Sequence, residues 1–280
     1  MILPPLIDKT VDLTSGITEE LEECCFVIKI YSERVEEHSE VVLEVGPVSG
    51  SKYELIVDYA LVVGNETKFV EKDFWTKKEV LQRISTTEKD VRIVFGVAVH
   101  QPLIPENVME KTTFRYYRIL CAGDTFYVNP ANLKKYKCEM FDKWYDDEVS
   151  HEECSIVQEL APDDLKLLLI ACCAYSTIVI HSRNFYELAE IGVNLKIVSV
   201  VRAIDAFVME LKTMHVIRKL ECCLNYRLTL TADGILKSLR GHLFKLESLH
   251  DYLAQNGETE HDLPTDLLAM LDVYDDYVII

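Results

Sequence analysis

Two acid pairs, two spaced histidines and three adjacent cysteine pairs are the residues of this chain whose types could do chemistry. Neighbouring carboxylates can share a proton and act as acid and base. Asp163-Asp164, however, follows Pro162 at a predicted helix start, where negative charge simply offsets the helix dipole, and Asp275-Asp276 falls in an acidic terminal stretch. His242 and His250 come near helical spacing, yet no third donor accompanies them as a metal site would need. Cys24-Cys25, Cys172-Cys173 and Cys222-Cys223 each lie in an apolar run, and no C-x-x-C spacing occurs. Adjacent side chains point in different directions, so these pairs predict buried free thiols rather than metal clips. The sequence also lacks a Gly-Lys-Ser/Thr phosphate loop, G-x-G-x-x-G, H-E-x-x-H and G-x-S-x-G. The expectation is a protein that is not an enzyme and takes no metal or cofactor.

The elements that would position any site fall into two halves. Phe26, Ile28 and Ile30 alternate with Val27, Lys29 and Tyr31; Val41, Leu43 and Val45 repeat the pattern, as do Tyr53 to Val63 at every second residue and Val91, Ile93, Phe95, Val97 and Val99. A period of two over such lengths predicts half-buried antiparallel strands and a small β-sandwich over 21–101. Residues 1–20, with Pro4-Pro5 and little periodicity, read as a poorly ordered lead-in. Pro102 and Pro105 interrupt the pattern and predict a linker over 102–113.

The second half opens with a predicted strand from Arg118 to Ala122, a Gly123-Asp124 reversal and a second strand carrying Phe126 and Val128. Asn129-Pro130 supplies a helix start, with Leu133, Tyr136, Met140 and Phe141 at helical spacing. A short strand at Ile156 to Leu160 precedes the Pro162 helix, and further helices follow. Met214, Ile217, Leu220 and Leu224 mark one; Ile235, Leu236 and Leu239 mark another, capped by Thr229 or Thr231 and closed by Gly241. Leu246, Leu249 and Leu253 mark a last one. Trp144-Tyr145 would pack the second helix, and Phe74-Trp75 would either fill the sandwich core or line a groove. The fold class expected is therefore α+β.

The hairpin CAGDTFYV, the Leu133 to Phe141 stretch, the strand-Pro-Asp-Asp-Leu step before Leu167-Leu168-Leu169 and the Asn184 to Leu195 block together resemble a BTB/POZ domain over 114–211. The long strand YELIVDYALVV, the Phe74-Trp75 element, Val80-Leu81 and the strand VRIVFGVAVHQ are similar to the later half of a MATH (TRAF-like) domain, with its opening strands missing or shortened. Residues 212–255 resemble the helical extension that often follows BTB domains, and 256–280 read as an acidic tail. This MATH-BTB resemblance implies a non-catalytic adaptor. The BTB domain would pair with another copy and hold a cullin-3 scaffold, while the MATH domain captures a substrate for ubiquitin transfer. It implies a substrate groove at Phe74 and Trp75, a dimer face at Val108 and Met109, and a cullin contact at Tyr175, Ile178, Ile180, Ser182 and Asn184.

Departures from the family pattern keep a second reading open, a self-associating BTB scaffold that no longer binds a cullin. Tyr116 stands where an Asp usually precedes the first strand, Asn129-Pro130 replaces His-Lys, and Lys137-Cys138-Glu139-Met140 replaces Ser-x-x-Phe. In the cullin loop Ser182-Arg183-Asn184 replaces the hydrophobic-any-acid triplet, and Ile178 to Ile180 could supply a substitute anchor. A formal net charge of -18 argues against broad contact with nucleic acid or anionic membrane, which needs clustered Lys and Arg. No basic-apolar leader or membrane-length apolar run is visible. Protein partners in the cytoplasm or nucleus, and a weak homodimer, are the expectation.

Overall fold

A computed structural model describes residues 3–13, 18–23, 25–35, 38–104, 107–175 and 177–239. The chain divides into two compact units, Met1–Asn107 with Ala174–Arg183, and Val108–Cys173 with Asn184–Ile280. Antiparallel sheets build the first and helices around a small sheet build the second, so the fold is α+β.

In the first unit the strands are β1 (Pro5–Asp12), β2 (Thr18–Glu23), β3 (Phe26–Val35), β4 (His38–Pro47), β5 (Glu54–Val63), β6 (Glu66–Trp75), β7 (Glu79–Thr86) and β8 (Asp90–Leu103). They form two four-stranded sheets, in the orders β1-β8-β5-β6 and β2-β3-β4-β7. The alternating residues of β3, β4, β5 and β8 meet between the sheets, with Ile7, Leu13, Trp75 and Ile84, in one apolar core. Trp75 links the layers, its ring centroid 5.8 Å from Phe26 and 5.9 Å from Tyr59. Two strands stand where the sequence predicts a lead-in. β1 pairs with β8 from Asp12↔Asp90 to Pro5↔Gly96, and β2 pairs with β3.

The sequence also places a linker where β8 continues, since Pro102 pairs with Leu55. Proline fits there because β1 leaves β8 at Gly96. Beyond that point β8 has a neighbour on one side only, an edge position of the kind at which strands accept proline. Cys25 departs from expectation as well: it is exposed, with φ 71°, in the turn joining β2 to β3. Cys121, Cys138, Cys172, Cys222 and Cys223 are buried free thiols, and burial pushes the Cys223 thiol up to about 12.

The second unit holds β9 (Tyr117–Cys121), β10 (Asp124–Val128) and β11 (Cys154–Val157) in the order β10-β9-β11. The hairpin turns on Ala122 and Gly123, both left-handed at φ 47° and 102°, the geometry that matches strand twist in a two-residue loop. β11 runs parallel to β9. The helices are α1 (Pro130–Leu133, followed by a 3-10 turn), α2 (Glu139–Val149), α3 (Pro162–Cys173), α4 (Phe185–Asn194), α5 (Val198–Glu210), α6 (Val216–Tyr226) and α7 (Thr229–Leu239). Asn129 caps α1 as its sequence predicts, accepting from Asn132 N at 3.3 Å. Trp144 is buried on α2 against Phe141.

The cap of α7 is not a threonine side chain. The buried carboxylate of Asp205 on α5 accepts from Leu230 N and Thr231 N, each at 2.8 Å, and from the Thr231 hydroxyl at 2.6 Å. An acid from a neighbouring helix thus satisfies the orphan amides of a helix start. The Gly241 closure, the helix at Leu246, Leu249 and Leu253, His242, His250, Asp275-Asp276 and the acidic tail lie outside the described residues.

Candidate functional site

The first unit carries a site on the side where β6 and β7, the last strands of their sheets, lie. Its origin is local. With Leu55, Val57 and Tyr59 turned into the core, Glu54, Ile56 and Asp58 share the other face of β5. Two irregularities flank Asp58: the register with β8 slips between Ile56 and Val57, and that with β6 slips between Val57 and Tyr59. Lys72, one of the extra residues, is left-handed at φ 52°. The Asp58 carboxylate serves both bulges. It accepts from Lys72 N at 2.8 Å, and His100 Nε2 lies 2.7 Å from the same oxygen. A bulge redirects its strand, and here the Lys72 carbonyl accepts from Ser182 N at 2.9 Å.

Ser182 belongs to Ala174–Arg183, the stretch that joins the first unit although it follows α3 in sequence. Every second residue near its end meets the sandwich. Val179 packs with Ile56 and Leu103, flanked by Phe74 and Tyr175. The His181 ring stacks on Phe74 at 4.1 Å and 12°. Arg183 binds Asp73 with two parallel bonds, Nε to Oδ1 at 2.7 Å and Nη2 to Oδ2 at 3.0 Å. Its Nη1 reaches both oxygens of Glu79 at 2.9 Å. Asp73 stands on β6 and Glu79 on β7, so one guanidinium engages an acid from each sheet. Further along, the Tyr175 hydroxyl donates to Glu54.

The electrostatics follow from burial. Desolvation takes His181 down to about 3, the Arg183 charge works the same way, and Asp73 opposes them. The imidazole is neutral, and its Nδ1 accepts from Arg183 N at 3.2 Å. Desolvation would lower Arg183, but its bonds to Asp73 and Glu79 outweigh that and hold it above its ordinary value. Burial raises Glu54 against the hydrogen bond from Tyr175, and burial together with Glu54 raises Tyr175. A bidentate arginine on a 6% exposed carboxylate is the strong, shape-specific kind of ion pair.

The residues the sequence nominates are distributed unevenly. Phe74 is part of this site; Trp75 is not, because the next residue of a strand faces the opposite way and its ring fills the core. Tyr175 and Ser182 contact the sandwich, Ile178 is half-buried and Ile180 buried. Asn184 is buried where α4 begins. Val108 is 1% exposed inside the second unit, where its carbonyl accepts from Tyr127 N, so it offers no surface for a dimer; Met109 is exposed. Sequence reasoning missed Glu54, Asp58, Asp73, Glu79 and His181. An acid in the middle of the apolar β5 pattern was the available signal for Asp58, and a lone cation after the long uncharged run was the signal for Arg183.

Among the described residues no group of three or more His, Cys, Asp or Glu could hold a metal ion, and no helix is long and apolar enough to cross a membrane. The chain matches no protein-family model, and comparison with curated proteins finds no match.

Proposed function

We propose that the chain is a non-catalytic protein-interaction adaptor of the MATH-BTB kind, built to hold an extended segment of protein on its sandwich. The supporting observation is the edge itself, where a stacked ring, an apolar seat and a forked ion pair read alternate residues of one irregular stretch. That is recognition without bond making, as when an extended peptide is read by side-chain pockets along a sheet. Strands β1 and β2 support the MATH-like half of the reading by supplying opening strands. The hairpin, the α1 and α2 pair, β11 and α3 succeed one another in the order that the BTB resemblance implies.

A second reading, the self-associating scaffold that no longer binds cullin-3, is favoured by one observation. Tyr175 and Ser182, two of the residues the resemblance assigns to the cullin contact, bond to the sandwich, and Ile180 is buried. Calorimetry with the cullin-3 N-terminal domain and light scattering over a dilution series separate the readings. The ligase adaptor binds the cullin and dimerises; the scaffold dimerises alone, at about micromolar affinity for a small interface. A chain that does neither overturns both.

A further inference from the structure

We propose that Ala174–Arg183 is an internal ligand masking the outer face of β8, β5 and β6 and the acids of β6 and β7, and that the partner this surface takes is a protein segment presenting aliphatic-x-ring-x-Arg. The inference rests on the adaptor reading and adds the chemistry of the ligand and the means of its control.

The ligand pattern comes from the register of the contacts. Val179, His181 and Arg183 touch the sandwich at alternate positions, the last of them within the turn at 182–184 that leads to α4. Each meets a different surface. Ile56 and Leu103 seat the aliphatic residue, the Phe74 face takes the flat ring, and Asp73 with Glu79 forms an anionic fork of guanidinium geometry. Lysine fits the fork poorly, since a point cation cannot make two parallel bonds to Asp73 and a further pair to Glu79. The Lys72 carbonyl adds one acceptor for the backbone N–H just before the arginine.

The masking follows from how the stretch is held. No regular helix or strand forms between Cys173 and Phe185 among the described residues, and Ser182 N to Lys72 O ties its backbone to β6. A tether on the same chain acts as a local ligand at roughly millimolar effective concentration, enough to exclude a weak partner and yield to a better one.

The test uses the full chain and a fluorescent peptide copying residues 174–184, followed by anisotropy. Arg183→Ala withdraws the internal arginine, and Ser182→Pro, made separately, withdraws the backbone bond. We expect either variant to bind the peptide at least tenfold more tightly than the unmodified chain. The gain disappears when Glu79→Lys is added, or when the peptide carries alanine or lysine for its arginine. Failure of both variants to bind while they melt as the unmodified chain does would overturn the proposal, as would binding indifferent to Glu79→Lys and to the peptide's arginine. If both melt far lower than the unmodified chain and neither binds, the stretch is a structural brace and the proposal is again overturned. Self-association scored on the same samples keeps the two readings apart: a variant that dimerises but ignores the peptide removes this inference and leaves the adaptor reading standing.

Discussion

Asp58 and His181 show opposite ways in which a polar residue is kept buried on the outer face of the sandwich. Asp58 is 3% exposed and answers groups that the two bulges leave without ladder partners. Asp58→Ala would strand the Lys72 N–H, and an orphaned buried donor costs about 1 to 3 kcal/mol; urea unfolding should show a loss in that range, and an unchanged midpoint would mean that water replaces the carboxylate. His181 is buried without its charge. Its pKa lies near 3 in the structure and at 6.5 when free. The released state therefore binds more protons than the docked one between these values. The contribution is complete above pH 6.5 and declines as pH falls toward 3, by about 2 kcal/mol at pH 5. Glu54, raised by burial, pulls the other way, because the docked state holds its proton more tightly. Comparing unfolding at pH 7 and pH 5 for the unmodified chain and for His181→Phe, which keeps a ring on Phe74, isolates the histidine. The unmodified chain should lose about 2 kcal/mol more; parallel losses would show that the imidazole does not titrate in this way.

Among the elements, β1 depends on one glycine. A Cβ on Gly96 would stand 2.9 Å from Pro4 O and 3.1 Å from the Leu3 side chain, where the β1 register slips. Gly96→Ala should cost about 1 to 3 kcal/mol, the range for overpacking, and hydrogen exchange should find the β1 amides opened before those of β5. Unchanged protection in β1 would show that the strand shifts at no cost. The same strand marks the limit of what alternation reveals. β3, β4, β5 and β8 bury one face each and are legible as a period of two, down to the residues that face the core. β1 and β2 are edge strands whose charges are matched across neighbouring strands, as in Lys9 with Glu19 and Lys29 with Glu20, so they carry little apolar signal. In the second unit turn and cap chemistry is local, so the hairpin and the start of α1 are legible. The Asp205 cap is not, because it joins residues 26 apart in sequence. For the candidate site the separation is larger still. Arg183 and Asp73 lie 110 residues apart, and nothing in either neighbourhood names the other.

Across the whole molecule the path of the chain is what matters, since it leaves the first unit after Asn107, re-enters it at Ala174 and leaves again after Arg183. A cut between the first and second units would not by itself release the first from the rest. If a protease site is placed at residues 105–106 and cleaved, the second fragment still carries Ala174–Arg183 into the first unit. Its hold includes the buried Val179, worth about 2 kcal/mol on burial of a valine side chain. It also includes the Arg183 fork, whose loss leaves Asp73 buried without its cation, a change that typically costs about 2 to 5 kcal/mol. Together these amount to roughly three to five decades in the dissociation constant at 1.4 kcal/mol per decade. Gel filtration over a dilution series should therefore find the cleaved, unmodified chain holding together down to concentrations at least about a thousandfold lower than the cleaved Val179→Ser, Arg183→Ala double variant. Much of the ion-pair share is shielded by burial, Asp73 being 6% exposed, so moderate salt should weaken the association only slightly. Separation of the cleaved unmodified chain at the same concentrations as the double variant would mean that the stretch rides on the sandwich too loosely to mask anything.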